Sequence, residues 1–80
     1  MTVNELGTTL QKMCDTSGVN KTTMIHLFGI LYKNQIEESG ASLPEILKVI
    51  GFDESYKTEI RKGINLAKYV QLKPEYEGKF

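Results

Sequence analysis

The sequence predicts a small, mainly α-helical domain of four helices, and three observations support this. Apolar residues recur at three- and four-residue spacing in four successive segments, which is the period of an amphipathic helix. A glycine follows each of the first three segments, at Gly18, Gly40 and Gly51. The third segment opens with SLPE, from Ser42 to Glu45, which is an S-x-x-E capping box with proline in the first turn.

The chain is long enough for one small domain and no more. Its 80 residues are 40% hydrophobic and 25% charged, and a chain of this length buries only roughly 60–65% of its unfolded surface. We expect residues 1–73 to form the domain and residues 74–80 to form a polar tail. The N-terminus lacks the pattern of a signal peptide, and the apolar cluster MIHLFGILY is too short to span a bilayer, so a cytoplasmic location is expected.

The first helix is predicted to begin at Thr2 or Asn4 and to end at Gly18. Its apolar stripe consists of Val3, Leu6, Leu10, Met13 and Cys14. Because Cys14 lies on this stripe, it is expected to be an inert, buried thiol.

The second helix is predicted to begin at Asn20 or Thr22 and to run to about Ser39, with Gly40 ending it. Its main face is predicted to comprise Met24, Leu27, Phe28, Leu31 and Tyr32, widened by Ile25, Ile30 and Ile36. A stripe this wide is typical of the central, most buried helix of a bundle. Gly29 costs about 1 kcal/mol relative to alanine in mid-helix, and close approach of a neighbouring helix would explain it.

The third helix is predicted to run from the Ser42 cap to Gly51, with Leu43, Ile46, Leu47 and Ile50 on its apolar face. It is only about eight residues long, so packing must hold it in place. The core of the whole domain is predicted to centre on Leu27, Phe28, Leu31, Ile46, Ile50, Ile60 and Ile64.

The fourth helix is predicted to start after Phe52, with a cap at Asp53 or Ser55, and to run to about Ala67 or Lys68. Its inner face comprises Tyr56, Ile60, Gly63, Ile64 and Ala67. Its outer face comprises Lys57, Thr58, Arg61, Lys62, Asn65 and Lys68. An alternative ends the helix early and makes INLAKYVQLK a strand, but the alternation that a strand requires fails at Lys68.

The residues after the fourth helix are predicted to form a short β-strand, followed by a polar tail or by the second strand of a small hairpin. Residues 69–73 alternate between apolar and polar types, which is the pattern of a short strand, and Pro74 interrupts it. The following PEYEGKF is expected to be a polar tail or the return arm of a wing-like hairpin.

The charge is unevenly distributed along the chain. Ten basic and ten acidic residues make the net charge zero, which by itself disfavours a nucleic-acid partner. Residues 1–54 hold four lysines and seven acids, a net charge of −3, whereas residues 55–80 hold six bases and three acids, a net charge of +3. The positive part includes the fourth helix.

The segment SLPEILKVIGFDESYKTEIRKG, residues 42–63, has the order and size of a helix-turn-helix. Gly51 falls where the turn needs a positive φ, and Phe52 can fill the angle between the two helices. The second helix of this motif lies in the major groove of DNA. Six outward residues are predicted to contact DNA, namely Lys57, Thr58, Arg61, Lys62, Asn65 and Lys68. Glu59 could also read a base, although its charge repels phosphate.

The run IHLFGILY, followed by SLPEILKVIGFDESYKTEIRKGINLAKYV, resembles small stand-alone bacterial proteins grouped as helix-turn-helix-like domains. The resemblance covers roughly residues 22–73 and implies a DNA-binding fold. The chain departs from the commonest pattern of the motif, because Tyr56, Lys57 and Thr58 precede the aliphatic Ile60. Tyr56 and Tyr69 could contact phosphate through their hydroxyls, but half-buried core positions are expected for both.

The predicted function is double-stranded DNA binding by a small transcriptional regulator or accessory factor. One unit would contact one half-site, so a homodimer or a partner protein is expected, with the acidic N-terminal half and the first helix as the contact. The alternative is a protein-interaction module that uses the fold without DNA, which the zero net charge and Glu59 favour. No enzyme activity, cofactor, metal or membrane partner is expected. Cys14 and His26 are too few ligands for a structural zinc site. No motif supplies a nucleophile beside His26, which argues against catalysis by this histidine.

Overall fold

A computed structural model describes residues 1–16 and 18–79 of the chain. The described residues form four α-helices, α1 (Val3–Asp15), α2 (Lys21–Ser39), α3 (Leu43–Val49) and α4 (Lys57–Leu66), and two 3-10 turns, Glu54–Tyr56 and Pro74–Tyr76. The prediction of a mainly α domain with four helices is confirmed. None of the described helices is long and apolar enough to cross a membrane.

The first three helices begin at side chains that accept hydrogen bonds from free backbone amides. Thr2 caps α1 by accepting from the Glu5 amide, and the Glu5 carboxylate accepts from the Thr2 amide in return, which completes a capping box. Asn20 caps α2 by accepting from the Thr23 amide at 3.0 Å. Ser42 caps α3 in a second capping box, so the start predicted from SLPE is confirmed.

The turn between α3 and α4 is built around Gly51. Its φ of 69° lies in the left-handed region that favours glycine. The Gly51 amide donates to the Lys48 carbonyl at 3.2 Å, and the Phe52 amide donates to the Leu47 carbonyl at 3.0 Å. These two bonds form a Schellman motif, which satisfies the last carbonyls of α3 and turns the chain toward α4.

Replacing Ser42 by alanine is expected to lower the free energy of unfolding by about 1 kcal/mol, because the Glu45 amide loses its side-chain acceptor. Urea denaturation followed by circular dichroism measures this loss. Ser55→Ala is the matched control, since Asp53 and not the Ser55 side chain caps that turn. Equal midpoints for the two variants would show that the Ser42 hydroxyl does not stabilise the start of α3.

All four helices contribute to one core. The buried apolar side chains are Leu6, Leu10, Met13, Met24, Ile25, Phe28, Ile36, Leu43, Ile46, Leu47, Ile60 and Ile64. The apolar stripes predicted for α1, α3 and α4 are therefore confirmed. Cys14 is a free, partly buried thiol, and burial raises its pKa, as expected of an unreactive cysteine.

The predicted rotation of α2 was wrong in part. Ile25 and Ile36, expected at the margin of the apolar face, are buried, whereas Leu27 and Leu31 are only partly buried. Ile50, predicted in the core, is also only partly buried. The reason is that α4 packs against the face that carries Gly29, which is about 200° around the helix from Leu27 and so nearly opposite it.

Two glycines allow the backbones of α2 and α4 to cross in close contact. A Cβ added at Gly29 would lie 2.5 Å from the Ile60 carbonyl oxygen and 2.8 Å from the Ile64 amide. A Cβ added at Gly63 would lie even closer to the carbonyl oxygen of His26. The mid-helix Gly29 is therefore explained by close approach of a neighbouring helix, as predicted.

The C-terminal strand was a wrong prediction. In the described part of the chain, residues 70–73 have no regular structure, and Pro74–Tyr76 is a 3-10 turn. A lone strand lacks a partner for its backbone ladder, and the residues expected to form the return arm begin with the 3-10 turn Pro74–Tyr76. Instead this segment lies beside α2, where Leu72 and Tyr76 line a cleft with Leu27 and Leu31. The last residue of the predicted tail, Phe80, falls outside the described residues.

Candidate nucleic-acid interface

The outer face of α4 is a continuous polar surface. Ile60, Gly63 and Ile64 turn inward and are buried. All six residues of the predicted DNA-contact set are exposed: Lys57, Thr58, Arg61, Lys62, Asn65 and Lys68. The amphipathic pattern thus places the set on one side of the helix, as helical spacing predicted.

Two clefts flank this face and meet at Arg61. The first, about 600 Å³, lies between α4 and the start of α3, where Lys57, Thr58 and Arg61 face Ser42 and Pro44. The second, about 450 Å³, lies between the end of α4 and α2. Its lining includes Lys33, Arg61, Asn65, Lys68 and Tyr69.

Salt bridges distinguish the cations of this face from one another. Lys57 Nζ lies 3.2 Å from Glu54 Oε1, and Lys62 Nζ lies 3.2 Å from Glu59 Oε1. Arg61 and Lys68 make no ion pair with any residue of the described ranges. The exposed ion pairs of Lys57 and Lys62 are individually weak, so an incoming phosphate can displace the glutamate from each lysine. Arg61 and Lys68 have no glutamate to be displaced among the described residues.

Glu59 does not belong to the outer face. Its carboxylate contacts His26 Nε2 on α2 as well as Lys62, and its side chain is only 24% exposed. Hydrogen bonding, first from His26 and then from Lys62, lowers the pKa of Glu59. This carboxylate therefore closes the seam between α2 and α4, which disfavours the expected role of Glu59 as a base reader.

An aromatic cluster holds the start of α4 against α2. The rings of Phe52 and Tyr56 are 6.1 Å apart between centroids. Lys21 Nζ lies 4.1 Å from the Phe52 ring centroid and 4.8 Å from that of Tyr56, which are cation–π distances. The half-buried position of Tyr56 is confirmed. Phe52 is also half-buried, and its predicted filling of the angle between α3 and α4 stays a prediction.

Three residues beside the predicted set were missed. Lys33 and Glu37 come from α2, and Glu37 lines both clefts. They follow Gly29 at four-residue steps, so the glycine itself marks the α2 face that meets α4. Tyr69 was expected in the core, but it is 78% exposed because α4 ends at Leu66 and the chain turns outward there.

Comparison with known proteins agrees with this geometry. A family model described as an HTH-like domain matches residues 2–73. The chain belongs to the HTH-like domain family. Neither the curated proteins nor the solved structures include a match to this HTH-like protein. The helix-turn-helix is a DNA-binding motif, so membership indicates DNA binding at the level of a general class.

Proposed function

We propose that this HTH-like protein binds double-stranded DNA with α4 in the major groove and serves as a small transcriptional regulator or accessory factor. The observation that carries the proposal is the position of Arg61. It is exposed, lies where the two clefts of the outer face meet, and makes no ion pair within the described part of the chain. An arginine in that setting is available to a phosphate or to a guanine edge.

The residues of the outer face divide into two roles in this proposal. Asn65 lies in the middle of the face, where its side chain would reach a base edge and suits an adenine, whereas Arg61, one turn earlier, would contact a phosphate. Lys57 and Lys68 lie toward the two ends and would contact phosphates on either side of the groove. Thr58 adds a neutral donor beside Arg61. Under this proposal, contacts to phosphates supply affinity and contacts to base edges supply sequence preference.

The zero net charge does not oppose this interface once the charges are located in space. The acid nearest the middle of α4, Glu59, is held by His26 and Lys62 at the seam and away from the outer face. The acidic side chain that does line the clefts is Glu37 of α2. Lys57 and Lys62 are paired with Glu54 and Glu59, so among the described residues of α4 and its end the unpaired positive charges at the face are those of Arg61 and Lys68. Glu37 is the carboxylate that lines both clefts beside them.

The proposed binding mode would require a second unit for a full site, since one recognition helix contacts one half-site. The buried apolar side chains of α1 already pack in the protein's own core. They are those of Leu6, Leu10 and Met13. A homodimer through α1 would therefore have to use its polar outer face, and this contact stays a prediction, as do a protein partner and the cytoplasmic location.

Arg61→Ala tests the proposal without disturbing the ion pairs of the other cations. We expect weaker binding to every duplex, with the slope of log affinity against log salt flattened by about 0.9 if one phosphate contact is lost. Fluorescence polarisation of labelled duplexes at two salt concentrations measures both quantities. Lys73→Ala is the control, because Lys73 is exposed in the segment after α4, on the Leu27 side of α2, and the substitution removes the same charge.

Asn65→Ala provides a second arm that reports on sequence reading. This variant should lose affinity for the preferred duplex and keep its affinity for unrelated duplexes, because an amide carries no charge for a phosphate. The proposal is overturned if the unmodified protein shows no duplex binding at about 100 µM and low salt, where non-specific binding by such domains is normally measurable. The zero net charge would then favour the alternative function, and the same face should be titrated with an acidic peptide.

A further inference from the structure

The cleft at the C-terminal end of α4 contains a cation and an exposed aromatic residue that the DNA-contact set does not include. Lys33 reaches it from the middle of α2, one helical turn after Gly29. Tyr69 lies on its other side, with Lys68 Nζ 5.7 Å from the Tyr69 ring centroid. Arg61 and Asn65 form the wall that this cleft shares with the proposed recognition face.

We propose that Lys33 and Tyr69 bind the sugar–phosphate backbone of the same duplex whose groove receives α4. The inference rests on the proposed function and extends its footprint from α4 onto α2. Lys33 would supply a positive charge to a phosphate oxygen, and the Tyr69 hydroxyl would donate a hydrogen bond to the same strand. Both residues act on the backbone, so they would add affinity and register and leave sequence preference unchanged.

The close crossing of α2 and α4 is what brings Lys33 to the DNA. Gly29 and Gly63 leave no side chains between the two helices, so the face of α2 next to the crossing stands close beside the outer face of α4. Lys33 lies on that face at the following turn and makes no ion pair with the described residues. In a more widely spaced pair of helices, a lysine on α2 would stand behind α4 and away from the groove.

The exposure of Tyr69 also points to a ligand. Its side chain is 78% exposed, although tyrosine normally covers its ring against the protein. Its neighbours in the cleft are mainly cations and an amide, a setting that suits a polyanion better than an apolar partner. Glu37 is the exception: its carboxylate lines the cleft and would repel a phosphate there. The proposed site therefore contains a like charge whose removal should strengthen binding.

Lys33→Met is the main test, because methionine keeps an apolar stem of similar length and removes only the charge. Binding to all duplexes should weaken, and the slope of log affinity against log salt should flatten by about 0.9, so that the ratio of wild-type to variant affinity shrinks about 3.5-fold between 50 and 200 mM salt. Lys73→Met, in the segment after α4, is the matched control and should bind as the unmodified protein does. Lys33→Arg should restore both the affinity and the slope.

Two further variants separate the contributions within the cleft. Tyr69→Phe should weaken binding equally at both salt concentrations, because it removes a hydrogen bond and no charge, and an unchanged affinity would remove Tyr69 from the site. Glu37→Gln should bind more tightly than the unmodified protein. If Arg61→Ala weakens binding and Lys33→Met matches Lys73→Met in affinity and slope, the extension onto α2 is wrong and the proposed function stands. If the unmodified protein binds no duplex, both are wrong.

Discussion

Gly63→Ala is expected to destabilise this domain by about 3 kcal/mol or more, at or beyond the upper end of the usual cost of overpacking. The added methyl group would collide with the backbone carbonyl of His26, and the nearest neighbouring atom after that is the Cα of Gly29, 3.1 Å away. Neither atom can move aside without separating α2 from α4. The gain of about 1 kcal/mol in helix propensity that alanine brings is too small to offset this.

Gly7→Ala is the matched comparison for that experiment. Gly7 is also buried in a helix at a close contact, but the nearest atoms to an added Cβ are Val49 Cγ1 at 2.9 Å and Val49 Cβ at 3.0 Å, on a side chain that is 41% exposed, and the nearest backbone atom, the Ile46 carbonyl oxygen, is farther away at 3.2 Å. We therefore expect Gly7→Ala to change the free energy of unfolding by less than about 1 kcal/mol. Urea denaturation of both variants measures the difference. Equal effects would show that α2 and α4 do not cross backbone to backbone at Gly63.

Helix starts and stops were the best predicted features, since each depends on a few adjacent residues. The S-x-x-E box at Ser42 and the glycine at residue 51 are local signals, and the structure places a capping box and a left-handed turn there. Mid-helix Gly29 indicated a close helix neighbour for a similarly simple reason, because nothing else offsets its cost. The identity of that neighbour, α4, could not be derived, since it depends on contacts more than 30 residues apart in the chain.

The composition of the candidate interface was predictable only along α4. Helical spacing places Arg61, Asn65 and the lysines of α4 on one face without reference to the rest of the fold. Lys33 and Glu37 join that face only because α2 crosses α4 at the two glycines. The same crossing brings His26 within reach of the Glu59 carboxylate, so this carboxylate lies at the seam between α2 and α4 and not on the outer face of α4. Charges assigned from one helix alone are thus revised wherever a second helix packs close beside it.

Phe28→Ala should lower the free energy of unfolding by about 3 to 5 kcal/mol, the usual cost of removing a buried aromatic side chain. Phe28 has no exposed surface, and its ring stacks obliquely on that of Tyr32 at 5.4 Å between centroids. A loss of this size is a large share of the stability of an 80-residue domain, and a cooperative urea or thermal transition should shift far or disappear.

Leu27→Ala is the control that tests the orientation of α2 as well as the size of the effect. Leu27 neighbours Phe28 in the chain but is only partly buried, beside the irregular segment that follows α4. Its replacement should cost clearly less than that of Phe28, because the cost of truncation rises with the apolar surface and cavity left behind. If Leu27→Ala proves the more damaging of the two, then Leu27 and Leu31 face the core, and α2 is rotated as its sequence alone predicted.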